Sequence, residues 1–286
     1  MASSANLPRI LLIGANGQVG WELRRTLAPA GEVKAFDRYG LDLAEAPPLA
    51  AAVRALQPDV IVNAAAYTAV DKAESERDLA FAVNATAPRV LAEEAKRTGA
   101  MLIHYSTDYV FDGDKGSPYT EDDPTRPINV YGESKLAGER AIQASGCRHL
   151  ILRTSWVYGP RGKNFFLTMR RLAKERSELR VVDDQVGAPT SSVAIADATP
   201  QLLAKGTEGL YHMTAAGETT WCGFAREILK RAGLATPVVG IPTKDYPTPA
   251  RRPRNSRLDC SRLKAAAGIE LAPWTEQLGE VTLRAS

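Results

Sequence analysis

The chain lacks most of the features that would narrow its function quickly. No apolar run in its 286 residues approaches the roughly 20 that a membrane-spanning helix needs, which argues against a membrane protein. The first residues, MASSANLP, have neither the basic nor the apolar segment of a secretory signal and are expected to form a short loose tail. Cysteine is scarce: Cys147, Cys222 and Cys260 are odd in number and far apart. That excludes a disulfide framework and metal-ligand spacing, and fits reduced thiols in a cytoplasmic protein. The three histidines, His104, His149 and His212, form no cluster and are expected to be structural. Charge of one sign is also missing. With 36 basic and 33 acidic residues the net charge is +3, so nothing directs the chain to nucleic acid or an anionic membrane.

What remains is the composition of a soluble globular protein, 44% hydrophobic and 24% charged, with enough length for one large or two modest domains. Apolar runs alternate with helical patterns through the first half. Strands are predicted over 9–13, 32–36, 59–63, 101–106 and 149–154. Helices are predicted over 17–27, from Pro47 and Pro48 to Leu56, over 85–98, and from the Y131-G-E-S-K135 segment. Strands separated by helices on this scale call for a parallel sheet with right-handed crossovers. The expected fold is therefore α/β, a Rossmann-type doubly wound parallel sheet. Residues 110–127 read as a loop rich in Gly, Pro and Asp. After Trp156 the elements shorten and mix with Pro-rich stretches such as 237–256. We therefore expect a dinucleotide-binding domain over 1–155, to which later segments can return. Residues 156–286 would mainly form a smaller mixed α/β substrate domain.

Three groups of residues carry chemistry. Immediately after the first strand, Gly14-Ala-Asn-Gly17-Gln-Val-Gly20 opens the first helix. Such a turn brings backbone close to a pyrophosphate, whose charge is favoured by the free N–H groups of a helix start. Asp37 ends the second strand, where an acid favours the ribose hydroxyls of NAD, while Arg38 beside it suits the 2′-phosphate of NADP. Asp42 and Leu43 are placed to border the adenine. Small residues in Asn63-Ala64-Ala65-Ala66 would let a cofactor lie against the backbone. Ser106-Thr107-Asp108 ends the fourth strand, at the edge where ligands of such sheets sit. Tyr131 and Lys135, one helical turn apart, would share a face of the next helix. A tyrosine can protonate a nascent alkoxide if an ammonium stabilises its phenolate, and Thr107 can hold the carbonyl oxygen.

The motifs GANGQVG, NAAA, STDYVFDG and YGESK resemble those of the extended short-chain dehydrogenase/reductase superfamily. Longer stretches, among them VNAAAYTAVDKAE, RTSWVYG, DDQVGAPT, GLYHMTAAGETTW and YPTPARRPRNSRLD, resemble the dTDP-4-dehydrorhamnose reductase family across about residues 9–275. The resemblance implies NADPH or NADH as hydride donor and a dTDP-sugar with a C4 ketone as substrate. By position it puts Gly17, Gln18 and Val19 at the pyrophosphate and Asp37, Asp42 and Leu43 around the adenosine. Ala66, Tyr67, Thr68 and Tyr105 would lie further along the cofactor. It makes Thr107, Tyr131 and Lys135 catalytic, and puts Val70, Asp108 and Trp156 at the sugar. A flat Trp156 ring would wall the sugar pocket. In the basic run of Arg251, Arg252, Arg254 and Arg257, guanidinium forks suit a diphosphate, with Arg252 and its neighbours Asn255 and Ser256 as the expected contacts.

Part of that family is associated with a magnesium-bridged dimer held by acidic side chains. Glu22 matches one of them, but Val193 and the terminal LRAS do not supply the others. A hard cation needs a fuller carboxylate set, so that magnesium dimer is not expected, and a homodimer of another kind stays open. Rival readings are another sugar-nucleotide epimerase or dehydratase, a non-catalytic regulatory subunit, and a dinucleotide-binding redox sensor. Thr107, Tyr131 and Lys135 together weigh against the regulatory subunit.

Overall fold

The computed structural model describes residues 7–285; the tail expected at the amino terminus lies mostly outside them. Six strands, β1 (Arg9–Ile13), β2 (Glu32–Phe36), β3 (Val60–Asn63), β4 (Met101–Thr107), β5 (His149–Thr154) and β6 (Gly209–His212), form one parallel sheet. Its order is β6-β5-β4-β3-β1-β2. The direction of winding reverses between β1 and β3, and a crevice opens beyond the carboxyl ends of strands at such a point.

Runs such as Leu11-Leu12-Ile13 and Val60-Ile61-Val62 are continuous because both faces are covered. Alternate side chains go to opposite faces. Ile10, Leu12, Val62, Ile103 and Leu152 pack on α1 (Gln18–Thr26) and on a later helix, Ser192–Ala204. Leu11, Ile13, Ile61, Leu102 and Ile151 pack on α2 (Ala46–Leu56), α3 (Ala87–Thr98) and α4 (Val130–Ser145). A further core joins the helices Phe165–Glu175, Trp221–Arg231 and Trp274–Arg284 around Tyr158, Phe166, Phe224 and Leu278. Beside it, Val238–Ile241 pairs in parallel with Leu179–Val182. Among the described residues no helix is long and apolar enough to cross a membrane.

Two elements differ from expectation. A sixth strand, β6, adds to β5 with Leu210 opposite Ile151. Its apolar run is so short, starting from Gly209, that periodicity gives it no signal. Helix begins not near 85 but at Arg77, and runs through a π-helical turn, Ala82–Thr86, into α3. Pro88 lacks an N–H and reads as a helix start; the widened turn before it carries the helix past that missing donor. The turn also places the buried Asn84, whose carbonyl lies so near Gly138 of α4 that a Cβ there would clash. The glycine admits the contact.

Candidate active site

A cleft of about 790 Å³ runs along the carboxyl edge of the sheet. One end is backbone. Gly14 adopts φ +87°, and a Cβ on it would stand 2.6 Å from the nitrogen of Ala65. A Cβ on Gly20 would strike the carbonyl of Gly14. The turn therefore closes only with glycine at both positions. Gly17 stands at the N-cap of helix α1, with no side-chain cap and no acid in the first turn, so the leading N–H groups of the helix are open and unopposed. These residues fit a pyrophosphate, because open amides and the positive end of a helix dipole attract anions. Asn16 Nδ2 donates to Asp37 Oδ2 at 2.6 Å, and Asp37 Oδ1 accepts from the N–H groups of Tyr39 and Gly40. Both oxygens of Asp37 thus already have protein partners. The exposed Arg38 has only a long contact to Asp42, 3.5 Å.

Gly14, Gly17, Gln18, Val19, Asp37, Arg38, Asp42 and Leu43 all line this end. Ala65, Ala66, Tyr67, Thr68, Val70 and Tyr105 line the cleft further along. Gly20 does not; it is packed inside the turn. The loop after β3 is held by Asn84, whose side chain accepts from Tyr67 N and donates to Tyr67 O and to Ser134 Oγ.

The floor carries Thr107, Asp108, Tyr131 and Lys135. Asn129 caps α4 by accepting from Gly132 N at 2.8 Å, which puts Tyr131 in the first turn with Lys135 directly beneath it. Burial pushes the Tyr131 phenol up to about 12, partly offset by its hydrogen bond with Thr107. The Lys135 amine is 1% exposed, and burial brings it down to about 8 against the pull of Glu139. Nζ donates to Tyr105 O at 2.7 Å and lies 3.1 Å from His104 Nε2. His104, expected to be structural, therefore touches the site. Burial, then the neighbouring Lys135, hold it well below its ordinary value. Burial raises Asp108 to about 7, moderated by the Ser256 and Thr107 hydroxyls. Both Asp108 and Thr154 line the cleft, and Asp108 Oδ2 and Thr154 Oγ1 are buried with no hydrogen-bond partner among the described residues.

At the other end, Trp156 lines the cleft with φ +48°, rare for a residue with a side chain. Its ring stacks on Trp221, centroids 3.7 Å apart and planes 12° apart, and Trp221 also lines the cleft. Gly187 leaves room: a Cβ there would stand 2.6 Å from Trp156 Cε2. Trp221, His104 and Asn84 escape notice in the sequence because each reads as an ordinary core residue.

The expected diphosphate contacts fare differently. Arg252, Asn255 and Ser256 are not among the cleft-lining residues. Arg252 grips both oxygens of Asp71, at 3.0 and 2.8 Å. Asn255 donates to the carbonyls of Lys115 and Ser117 and accepts from Arg257, tying down the 110–127 loop. Arg257 itself pairs with Glu218 and Gly116 O. Ser256 stands against Asp108 rather than in the open cleft. Glu22, the one match to a family metal position, pairs with Arg25 and Arg284 at 4.0 and 3.7 Å. On this chain that carboxylate has guanidinium groups as its charged neighbours.

The model of the RmlD substrate binding domain matches residues 8–286. The chain is 52% identical to a dTDP-4-dehydrorhamnose reductase of Burkholderia thailandensis, covering 95% of this chain and 97% of that protein. It is 49% identical to one from Escherichia coli, covering 93% and 94%. The fold matches the crystal structure of the Bacillus anthracis enzyme of that name in complex with NADP, with TM-score 0.94 and 37% identity over 97% and 99% of the two chains.

Proposed function

From the chain's membership of the dTDP-4-dehydrorhamnose reductase family we propose how its own residues perform the reaction of that family. The protein is an oxidoreductase that reduces the C4 ketone of dTDP-4-dehydro-L-rhamnose to dTDP-L-rhamnose, using a nicotinamide dinucleotide. The observation that carries the reading is the convergence of Thr107, Tyr131 and Lys135 on the floor of one cleft whose other end is a glycine-walled anion cradle.

When bound, the reduced dinucleotide supplies a hydride to C4. Thr107 holds the carbonyl oxygen beside the Tyr131 hydroxyl, polarising it and fixing the approach. As the C4 oxygen gains charge, the Tyr131 O–H bond breaks and a new O–H bond forms on the sugar, leaving a phenolate. Lys135 in its protonated state, one helical turn away, adds a positive charge to the same floor and lowers the cost of forming that phenolate. Asp108 Oδ2, buried and unpartnered, accepts a sugar hydroxyl, and the Trp156–Trp221 pair walls the ring against water.

The cofactor preferred is NADPH, with NADH also accepted. Support comes from Asp37, whose oxygens already hold Asn16, Tyr39 and Gly40, and from Arg38, whose open guanidinium suits a 2′-phosphate. The test is to supply dTDP-4-dehydrorhamnose and follow loss of absorbance from NADPH and from NADH separately. Turnover with both, faster with NADPH, is expected; oxidation of neither would refute the reductase reading.

A further inference from the structure

The reaction uses Lys135 but gives no role to the buried polar chain behind it. Asn63 of β3 and His104 of β4 are partners in register, so their side chains leave the same face of the sheet, toward α4. Both are 1% exposed. The Ala65 N–H donates to Asn63 Oδ1 at 3.2 Å. A backbone N–H can only donate, so it fixes which end of the amide is oxygen. Asn63 Nδ2 then faces His104 Nδ1 at 3.1 Å as a donor, and Nδ1 must accept. A neutral imidazole carries one proton, which is left on Nε2, 3.1 Å from Lys135 Nζ.

An ammonium has no lone pair to accept from that N–H. The arrangement is therefore that of an uncharged Lys135, accepting from His104 and donating to Tyr105 O. Charging Lys135 turns Nε2 into an acceptor, moves the imidazole proton to Nδ1 and requires the Asn63 oxygen to turn toward His104. That turn withdraws the acceptor from the Ala65 N–H, which sits on the cleft wall.

We propose that His104 and Asn63 are positioning residues that couple the proton state of Lys135 to the Ala65 backbone N–H, through a tautomer switch of a neutral imidazole. The functional weight of this coupling rests on the reductase reading above; the switch itself does not. The other charged or titratable groups near Lys135 are Tyr131, one turn away, Glu139 on its own helix, held by Arg153 of β5, and Asp108 beyond β4. None of these contacts His104 Nδ1, so the amide of Asn63 alone reads the imidazole from that side.

Long-range proton–nitrogen correlation spectra of the cofactor-free protein, labelled with ¹⁵N in histidine, test the switch. The other two histidines are internal controls. His149 Nδ1 faces Cys147 O at 2.9 Å and His212 Nδ1 faces Tyr119 O at 3.1 Å, so both are held as Nδ1–H. Between about pH 10 and about pH 7, across the charging of a lysine buried this way, His104 should pass from Nε2–H to Nδ1–H while staying neutral. His212, also buried and neutral across this range, should keep its Nδ1–H throughout. In Lys135→Met the passage should vanish and His104 should remain Nε2–H. A His104 tautomer fixed throughout, or a switch that survives Lys135→Met, would overturn the proposal. Neither result depends on turnover, so failure of the reductase assay would leave this test intact.

A kinetic readout separates positioning from mere packing. In His104→Gln the side-chain oxygen can accept from the ammonium without any tautomer change, which favours charged Lys135. The Lys135 limb of the kcat/KM profile should then move to higher pH, by about one unit on the scale of a single hydrogen bond. A uniform fall at every pH with the limb in place would mark His104 as packing only.

Discussion

The two ends of the cleft are built from different materials. The end proposed above for the cofactor is backbone: Gly14, Gly17, the open start of α1 and the Ala64–Ala66 segment, all within the first 66 residues. The end proposed for the substrate is side chain, assembled from Asp108, Thr154, Trp156 and Trp221, which the fold gathers from points more than a hundred residues apart. Backbone recognition needs residues that stay out of the way. Side-chain recognition needs residues brought together, and those residues carry strain, lack of partners or shifted acidity. Trp156 sits at positive φ, and Asp108 has a buried oxygen without a partner.

The floor between them should show the largest effect. Tyr131→Phe removes the proton donor and leaves both walls in place, since the Tyr131 ring keeps its edge contact with Tyr109, centroids 5.4 Å apart. Turnover should fall by roughly 10²–10⁴-fold, the usual range for a general acid. Dinucleotide affinity, measured by fluorescence titration, should be unchanged. Normal turnover would remove Tyr131 from the role of proton donor.

Next in size is a break at the backbone end. In Gly14→Ala the new methyl group meets Ala65 N at 2.6 Å in a left-handed conformation, at a cost of roughly 1–2 kcal/mol from φ alone and more from the contact. Dinucleotide affinity should drop by about tenfold or more, and thermal stability should fall with it. Calorimetric titration showing unchanged affinity would mean that the cradle is not where the anion binds. The same change at Gly99, where φ is +78° but a Cβ meets nothing within 4 Å, should lower stability without touching affinity.

The contrast also accounts for what could be read in advance. Periodicity marks strands and helices that bury a face, so β1 to β5 and α1 to α4 are visible in outline, and the glycine spacing between β1 and α1 locates the cradle. The same signals fail where tertiary structure decides. β6 is four residues long and is held by its pairing with β5; the π turn at Ala82–Thr86 is accommodated by Gly138 of α4, far along the chain. The basic run at 251–257 points to a diphosphate contact, while its pairing of Arg252 with Asp71 and the fastening of a loop by Asn255 and Arg257 are not visible in charge alone. His104 looked like a core residue because its importance lies in register with Asn63 and in facing Lys135, neither of which is a local property.

The smallest effect, and the one most specific to the side-chain end, concerns pH. Burial raises Asp108 to about 7, so the ligand-free cleft holds a carboxylic acid below neutrality and a carboxylate above it. If Asp108 accepts a sugar hydroxyl, kcat/KM should decline as pH falls through about 7, because the acceptor is lost. Asp108→Asn keeps a carbonyl oxygen but cannot titrate. Its profile should be flatter across that range, at the expense of a severalfold loss above pH 8, comparable to weakening one charge-assisted hydrogen bond. The stability of the free protein should move the opposite way. A carboxyl whose folded value is raised binds its proton more tightly when folded, so between about pH 4 and about pH 7 the folded state holds more protons than the unfolded chain. Stability then falls with rising pH and levels off above 7. Urea unfolding of wild type and Asp108→Asn at several pH values should show the variant gaining on wild type across that interval and no further. A parallel pair of curves would mean that Asp108 titrates with an ordinary carboxylate value, and the buried oxygen would then have a partner in solution.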